Sequence, residues 1–200
     1  IEMRMINRIG MLMGLSVLTL TLSGCGIQSI PQSKNAVDAS MAEVMNQYKR
    51  RADLIPNIVE TVKGYAKQES TTLQAVTEAR AKATSVNIDP TKMSAEKLAE
   101  FSKAQGQLSQ ALGRLMMVTE NYPDLKSNEN FKALQVELEG TENRITIARR
   151  RYIESIQEFN NLVTVFPTSL TNSFFFHHQP MPQFGGEVTE EEKTAPAVKF

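Results

Sequence analysis

Residues 98–122 read LAEFSKAQGQLSQALGRLMMVTENY, and a seam runs through them at Leu98, Phe101, Gln105, Leu108, Leu112, Leu115, Thr119 and Tyr122. Every step is three or four residues, the period of a helix with one buried face, whereas a half-buried strand would alternate. Ser94 precedes the run as an N-cap, and Glu96 sits in the first turn, where the helix dipole favours an acid. Pro123 ends it.

The same spacing recurs on either side. Val37, Met41, Val44, Tyr48 and Ala52 line a first helix. In Asp53-Leu54-Ile55-Pro56 the proline lacks an amide and disfavours helical geometry at Ile55, which predicts a sharp turn near Asp53, with one kinked helix through Pro56 as the alternative. A second helix from Pro56 to about Ala83 carries Val59, Val62, Ala66, Leu73 and Val76 and breaks in Val86-Asn87-Ile88-Asp89-Pro90. A fourth, from about Ser127 to Val165, repeats the pattern through Phe131, Leu134, Leu138, Thr141, Ile145, Ala148, Tyr152, Ile156 and Phe159, and would reach roughly 55 Å. Four amphipathic segments with short breaks hide their stripes against one another, so the expected fold is all-α, an antiparallel up-and-down four-helix bundle with an irregular C-terminal tail. Gly64, Gly106, Gly113 and Gly140 fall inside these helices, as close approaches between neighbours or as drift on exposed faces.

Composition narrows the function. The 200 residues carry 22 basic and 22 acidic side chains, and net charge zero argues against nucleic acid, which needs a basic surface. A single cysteine excludes an internal disulfide and any metal site needing two thiolates. That cysteine has a context. Arg4 and Arg8 precede an apolar run from Ile9 to Leu22, too short for a comfortable membrane span of about 20 residues but suited to the core of an export signal. Leu22-Ser23-Gly24-Cys25 follows and resembles the lipobox of bacterial lipoproteins, which implies a diacylglyceryl group on Cys25 and cleavage before it. The expected organisation is a lipoprotein signal peptide over 1–24, a tether over 25–34, the helical bundle over 35–167 and an aromatic and acidic tail over 168–200. Gly26, where an aspartate would signal inner-membrane retention, favours the periplasmic side of the outer membrane in a cell with two membranes.

The stretch Arg50-Arg51-Ala52-Asp53-Leu54-Ile55-Pro56-Asn57-Ile58-Val59-Glu60-Thr61-Val62-Lys63-Gly64-Tyr65-Ala66 resembles the signature of the LemA family. Val76 to Ala81, Glu120-Asn121-Tyr122-Pro123, Glu139 to Ile145, and Ala148-Arg149 with Tyr152 resemble it too, in the family's order. The resemblance covers about residues 35–167 and implies an antiparallel helical bundle at a bacterial envelope, without established catalysis. It also implies partners among membrane proteases or TPM-domain proteins. Many relatives keep an uncleaved N-terminal membrane helix, from which the lipobox departs.

Against such a bundle the chemistry is sparse. A di-iron carboxylate site needs inward Glu-x-x-His pairs, and the only histidines, His177 and His178, are adjacent and lie beyond the helices. They are expected as a solvated pair beside aromatics, and no metal and no cofactor other than the covalent lipid on Cys25 is expected. Glu69 falls on the second helix's seam with Arg80 near the same stripe, and a buried carboxylate there needs a partner such as Arg80, Arg144 or Arg149. Glu78, Glu120 and Glu142 are candidates for a polar interaction surface. Lys49-Arg50-Arg51 and Arg149-Arg150-Arg151 are basic runs that suit solvated faces or anionic lipid. In the tail, Leu170 and Phe174-Phe175-Phe176 are expected to fold back over one end of the bundle, a membrane or partner contact being the alternative. The expected function is that of a lipid-anchored, non-catalytic envelope scaffold acting by protein contacts with an unidentified partner; the alternative is an enzyme or small-ligand binder with an inter-helical Glu/Arg pocket.

Overall fold

The structure is a computed structural model that describes residues 2–86, 88–89 and 94–184, with side chains described from residue 27 onward. The apolar run 9–22, Cys25 and the acidic end of the tail therefore lie outside the residues whose side chains are described. Among the described residues all regular structure is helical: α1 (Glu2–Tyr65), a 3-10 turn (Lys67–Glu69), α2 (Ser70–Ser85), α3 (Ala95–Thr119), α4 (Pro123–Ser127), α5 (Glu129–Thr164) and α6 (Thr168–Thr171), followed by a wide helical turn (Asn172–Phe176). No helix among them is long and apolar enough to cross a membrane.

Two expectations about α1 are corrected. Residues 25–34, expected as a tether, are helical, and the helix does not turn at Asp53 but runs through Pro56 to Tyr65. The reason is a buried stripe that never breaks: Ile30, Ser33, Val37, Met41, Val44, Tyr48, Arg51, Ile55, Ile58, Val62 and Ala66 follow one another at steps of three or four. Pro56 keeps its ring on the exposed side. Its missing amide leaves the carbonyl of Ala52, four residues back, without the usual helical donor. Nε of Arg80 in α2 supplies one, donating to that oxygen at 2.8 Å. The chain instead turns at Ala66, whose backbone (φ −124°, ψ 57°) leaves the helical region before the 3-10 turn.

The other ends follow local rules. Ser94 caps α3, its hydroxyl accepting from the amide of Lys97 at 3.3 Å. Pro123 opens the short α4 as well as closing the preceding turn. Asn128 caps α5 by accepting from the amide of Phe131 at 2.9 Å.

The chain forms two compact units, residues 40–153 with 182–200 and residues 1–39 with 154–181. In the larger, Ile55, Ile58 and Val62 of α1, Leu73 and Val76 of α2, Leu108, Leu112 and Leu115 of α3, Leu125 of α4, and Phe131 and Leu138 of α5 share one core. Asn128 donates to the Tyr65 hydroxyl at 2.9 Å, and Arg51 contacts Glu142, so residue numbers fall along α1 as they rise along α5; the two helices are antiparallel here. Phe184 folds back from the tail, edge-on to Tyr152 at 5.3 Å and beneath Arg149 at 4.8 Å.

In the smaller unit Ile30 and Val37 of α1 and Ile156, Phe159 and Val163 of α5 are buried. Asn172 ties the chain after α6 in place: its amide nitrogen donates to the carbonyl of His178 at 3.0 Å and its side-chain oxygen accepts from the His178 amide at 2.9 Å. Asn160 clamps Met181 in the same two-way manner at 3.0 and 2.8 Å. His178 is not a solvated bystander, for its ring stacks on Phe176 at 5.9 Å and leans on Phe159 at 5.7 Å. The expectation for the aromatic triplet is corrected: Phe176 is half-buried, but Phe174 and Phe175 face outward.

Close helix approach does not account for three of the four glycines, since a methyl group at Gly64, Gly106 or Gly113 would meet nothing within 4 Å. At Gly140 it would meet only the tip of Arg144, at 3.4 Å. Gly113→Ala in the middle of α3 is therefore expected to stabilise the protein by about 0.5 to 1 kcal/mol through helix propensity. An unchanged or lowered midpoint in urea unfolding would show that this position has a role the packing does not reveal.

Candidate functional site

Among the described residues Arg51 is the largest fully buried side chain, at 1% exposure, and its setting explains its tolerance inside the core. It stands three residues after Tyr48 and four before Ile55, on the apolar stripe of α1. One terminal nitrogen donates to the carboxylate of Glu142 on α5 and to the hydroxyl of Ser109 on α3 at 3.0 Å; the other donates to Oε1 of Gln105 on α3 at 2.6 Å. The guanidinium also lies over the Tyr48 ring, 5.2 Å from its centre. Gln105, itself buried, passes the connection on by donating to the carbonyl of Ala83 on α2 at 3.3 Å. Arg51 thus engages α3 and α5 directly and α2 through Gln105.

The electrostatics are lopsided. Arg51 is desolvated, while the Glu142 side chain is 46% exposed and keeps much of its hydration. An unpaired buried guanidinium would be costly, so the carboxylate and the two neutral acceptors are what make its burial tolerable. Burial also pushes the Tyr48 hydroxyl above its usual pKa, opposed by the nearby charges of Arg149 and Arg51, so it stays protonated at neutral pH and offers no base. Arg51, Gln105, Ser109, Glu142, Tyr48 and Arg149 border a cavity of about 160 Å³. Ligand sites for drug-sized molecules run from about 300 to 1,000 Å³. Two larger surface grooves, of about 460 and 530 Å³, contain no arginine among their lining residues.

The residues singled out from sequence fall in different places. Arg80 reaches the Ala52 carbonyl rather than Glu69. Glu69 is half-buried and accepts from the Tyr122 hydroxyl at 3.1 Å; burial and this contact raise the Tyr122 pKa. Glu78 is exposed, taking the amide of Gln74 at 2.9 Å, and Glu120 is exposed, paired with Lys126 at 2.5 Å. Arg144 and Arg50 both donate to Glu137, at 2.9 and 2.8 Å, and these contacts, that from Arg50 foremost, hold its carboxyl below the usual range. Of the residues named, only Glu142 and Arg149 share the Arg51 cluster, so the carboxylates do not converge on one pocket. Arg51 and Gln105 are the members that sequence reasoning missed as a site; the signal was their position on the apolar stripes of α1 and α3.

The LemA family model matches residues 40–200 of this chain. Protein LemA of Metamycoplasma hominis is 24% identical over 138 residues, covering 69% of this chain and 59% of that protein. Magnetosome protein MamQ of Magnetospirillum gryphiswaldense is 31% identical over 84 residues, 38% of this chain and 31% of that protein. A second magnetosome protein, MamQ 2 of Paramagnetospirillum magneticum, matches to the same extent. The chain thus spans about three fifths of the first relative's length and about a third of the magnetosome proteins'.

Proposed function

Because the chain belongs to the LemA family, we propose that it is a non-catalytic scaffold of the bacterial envelope. In this reading Cys25 carries the lipid that holds it at the membrane, and the four long helices form an up-and-down bundle whose surface meets a protein partner. The outer membrane, on its periplasmic side, is the site in a cell that has two membranes. The domain limits follow the same reading, with a signal peptide to residue 24 and the bundle over 35–167. A membrane protease or TPM-domain protein is the partner class proposed, and no cofactor is invoked beyond the lipid.

The observation that carries this reading is the Arg51 cluster. The two terminal nitrogens of Arg51 are directed at Glu142, Ser109 and Gln105, and Gln105 at the backbone of α2, while the buried Nε is left without a partner. Such an arrangement fixes helix register and leaves little room for a substrate. Glu78 and Glu120 stand on the exposed surface instead, where a partner could reach them.

In-cell crosslinking of the full-length protein, followed by mass spectrometry, is expected to recover the same envelope protein reproducibly. Labelling with radioactive palmitate is expected to mark the parent and not Cys25→Ser, which leaves the membrane fraction. Failure to recover any reproducible partner contradicts the scaffold, and an unlabelled parent contradicts the anchor.

A further inference from the structure

Val165, Phe166, Leu170, Phe174 and Phe175 are all exposed, with Phe166 at 72%, Phe174 at 75% and Phe175 at 68%. Phe166 stands in the turn before α6, Leu170 on α6, and Phe174 and Phe175 in the wide turn after it, so these four exposed side chains fall within ten consecutive residues. Hydrogen bonds tie the backbone beside the patch. Asn172 and Asn160 bind the backbone around it, and His177 takes a left-handed conformation (φ 56°) at its end, its amide donating to the Asn172 carbonyl at 2.7 Å.

We propose that Phe166, Leu170, Phe174 and Phe175 form an interfacial membrane contact that rests the end of α5 and α6 on the bilayer to which the N-terminus is anchored. Two features select lipid over a protein partner. From Phe159 to Gly186 the sequence contains no Asp, Glu, Lys or Arg, so this stretch supplies none of the charges with which protein interfaces set orientation. Its neighbours are Thr168, Ser169, Thr171 and Ser173, small hydroxyls suited to the headgroup boundary. Position adds the second argument. Residues 154–181 belong to the same compact unit as residues 1–39, which hold the apolar run 9–22 and Cys25. The exposed aromatics therefore stand in the unit nearest the membrane-seeking end of the chain, where inserting an apolar face a few ångströms into the acyl boundary is favourable. The proposal rests on the anchored reading above.

The chain contains no tryptophan, so one introduced indole reports without background. Full-length acylated Phe175→Trp would be reconstituted in phosphatidylethanolamine and phosphatidylglycerol vesicles containing phosphatidylcholine brominated near the top of one acyl chain. Met117→Trp, at an exposed position of α3, serves as the comparison. The expected result is blue-shifted emission from Phe175→Trp that the bromines quench, with Met117→Trp unshifted and unquenched. Vesicle flotation separates the two readings. A chain that floats while Phe175→Trp stays unshifted, or is shifted but insensitive to bromine because protein covers it, overturns this proposal and leaves the anchor standing. A parent chain that does not float overturns both.

Discussion

Arg51→Ala is expected to destabilise the protein by about 3 kcal/mol, the low end of the cost of breaking a buried ion pair. The low end applies because the carboxylate left behind, Glu142, is half-exposed and rehydrates. What remains is a void in place of the largest buried side chain, together with Oε1 of the buried Gln105 and the Ser109 hydroxyl stripped of their donor. Arg51→Lys keeps the charge but cannot reach Glu142, Ser109 and Gln105 together, and about half of that loss is expected. Urea unfolding of the detergent-solubilised chain, followed by circular dichroism, measures both. An Arg51→Ala variant within about 0.5 kcal/mol of the parent would mean that the cluster contributes nothing to stability.

The second large effect is a coupling. Arg80→Ala in the parent strips the Ala52 carbonyl of the donor that replaces Pro56's missing amide, and leaving a buried acceptor unpaired costs about 1 to 3 kcal/mol. In a Pro56→Ala background the helix supplies that amide, and the same Arg80→Ala change is expected to cost clearly less. A double-mutant cycle over residues 56 and 80 should therefore show an interaction energy of about 1 kcal/mol or more. Additivity would show that Arg80 stabilises the protein by some route other than the proline's orphaned carbonyl.

These two contacts also mark where sequence reading succeeds and where it stops. The seam from Leu98 to Thr119 is buried as its period requires, and so are Val37, Met41, Val44, Tyr48 and Ala52, because helical spacing of apolar groups reports burial directly. The break between the first two helices is misplaced because proline's local preference is overruled from a distance. Arg80 sits 28 positions away, and no reading of residues 50–60 alone shows that a donor will arrive. The real turn comes at the buried Ala66 and carries no proline. Arg51 is hidden for a related reason. In Lys49-Arg50-Arg51 the neighbours are exposed and invite reading the three as one solvated run, although a helix points each in a different direction and only Arg51 lies on the stripe. Likewise the tail does send an aromatic back onto the helices, but it is Phe184, held between Tyr152 and Arg149, and not Phe174 or Phe175. Which of several phenylalanines turns inward depends on the two-way asparagine clamps, contacts between positions 6 and 21 residues apart.

The most direct measurement is the amount of crosslinked partner recovered per folded molecule from cells expressing the parent or Arg51→Lys, with folded fraction read by limited proteolysis. If the cluster holds the helices in register and the surface meets the partner, recovery per folded molecule is the same for both. A folded Arg51→Lys protein that has lost its partner entirely would place Arg51 in the working site and contradict the account.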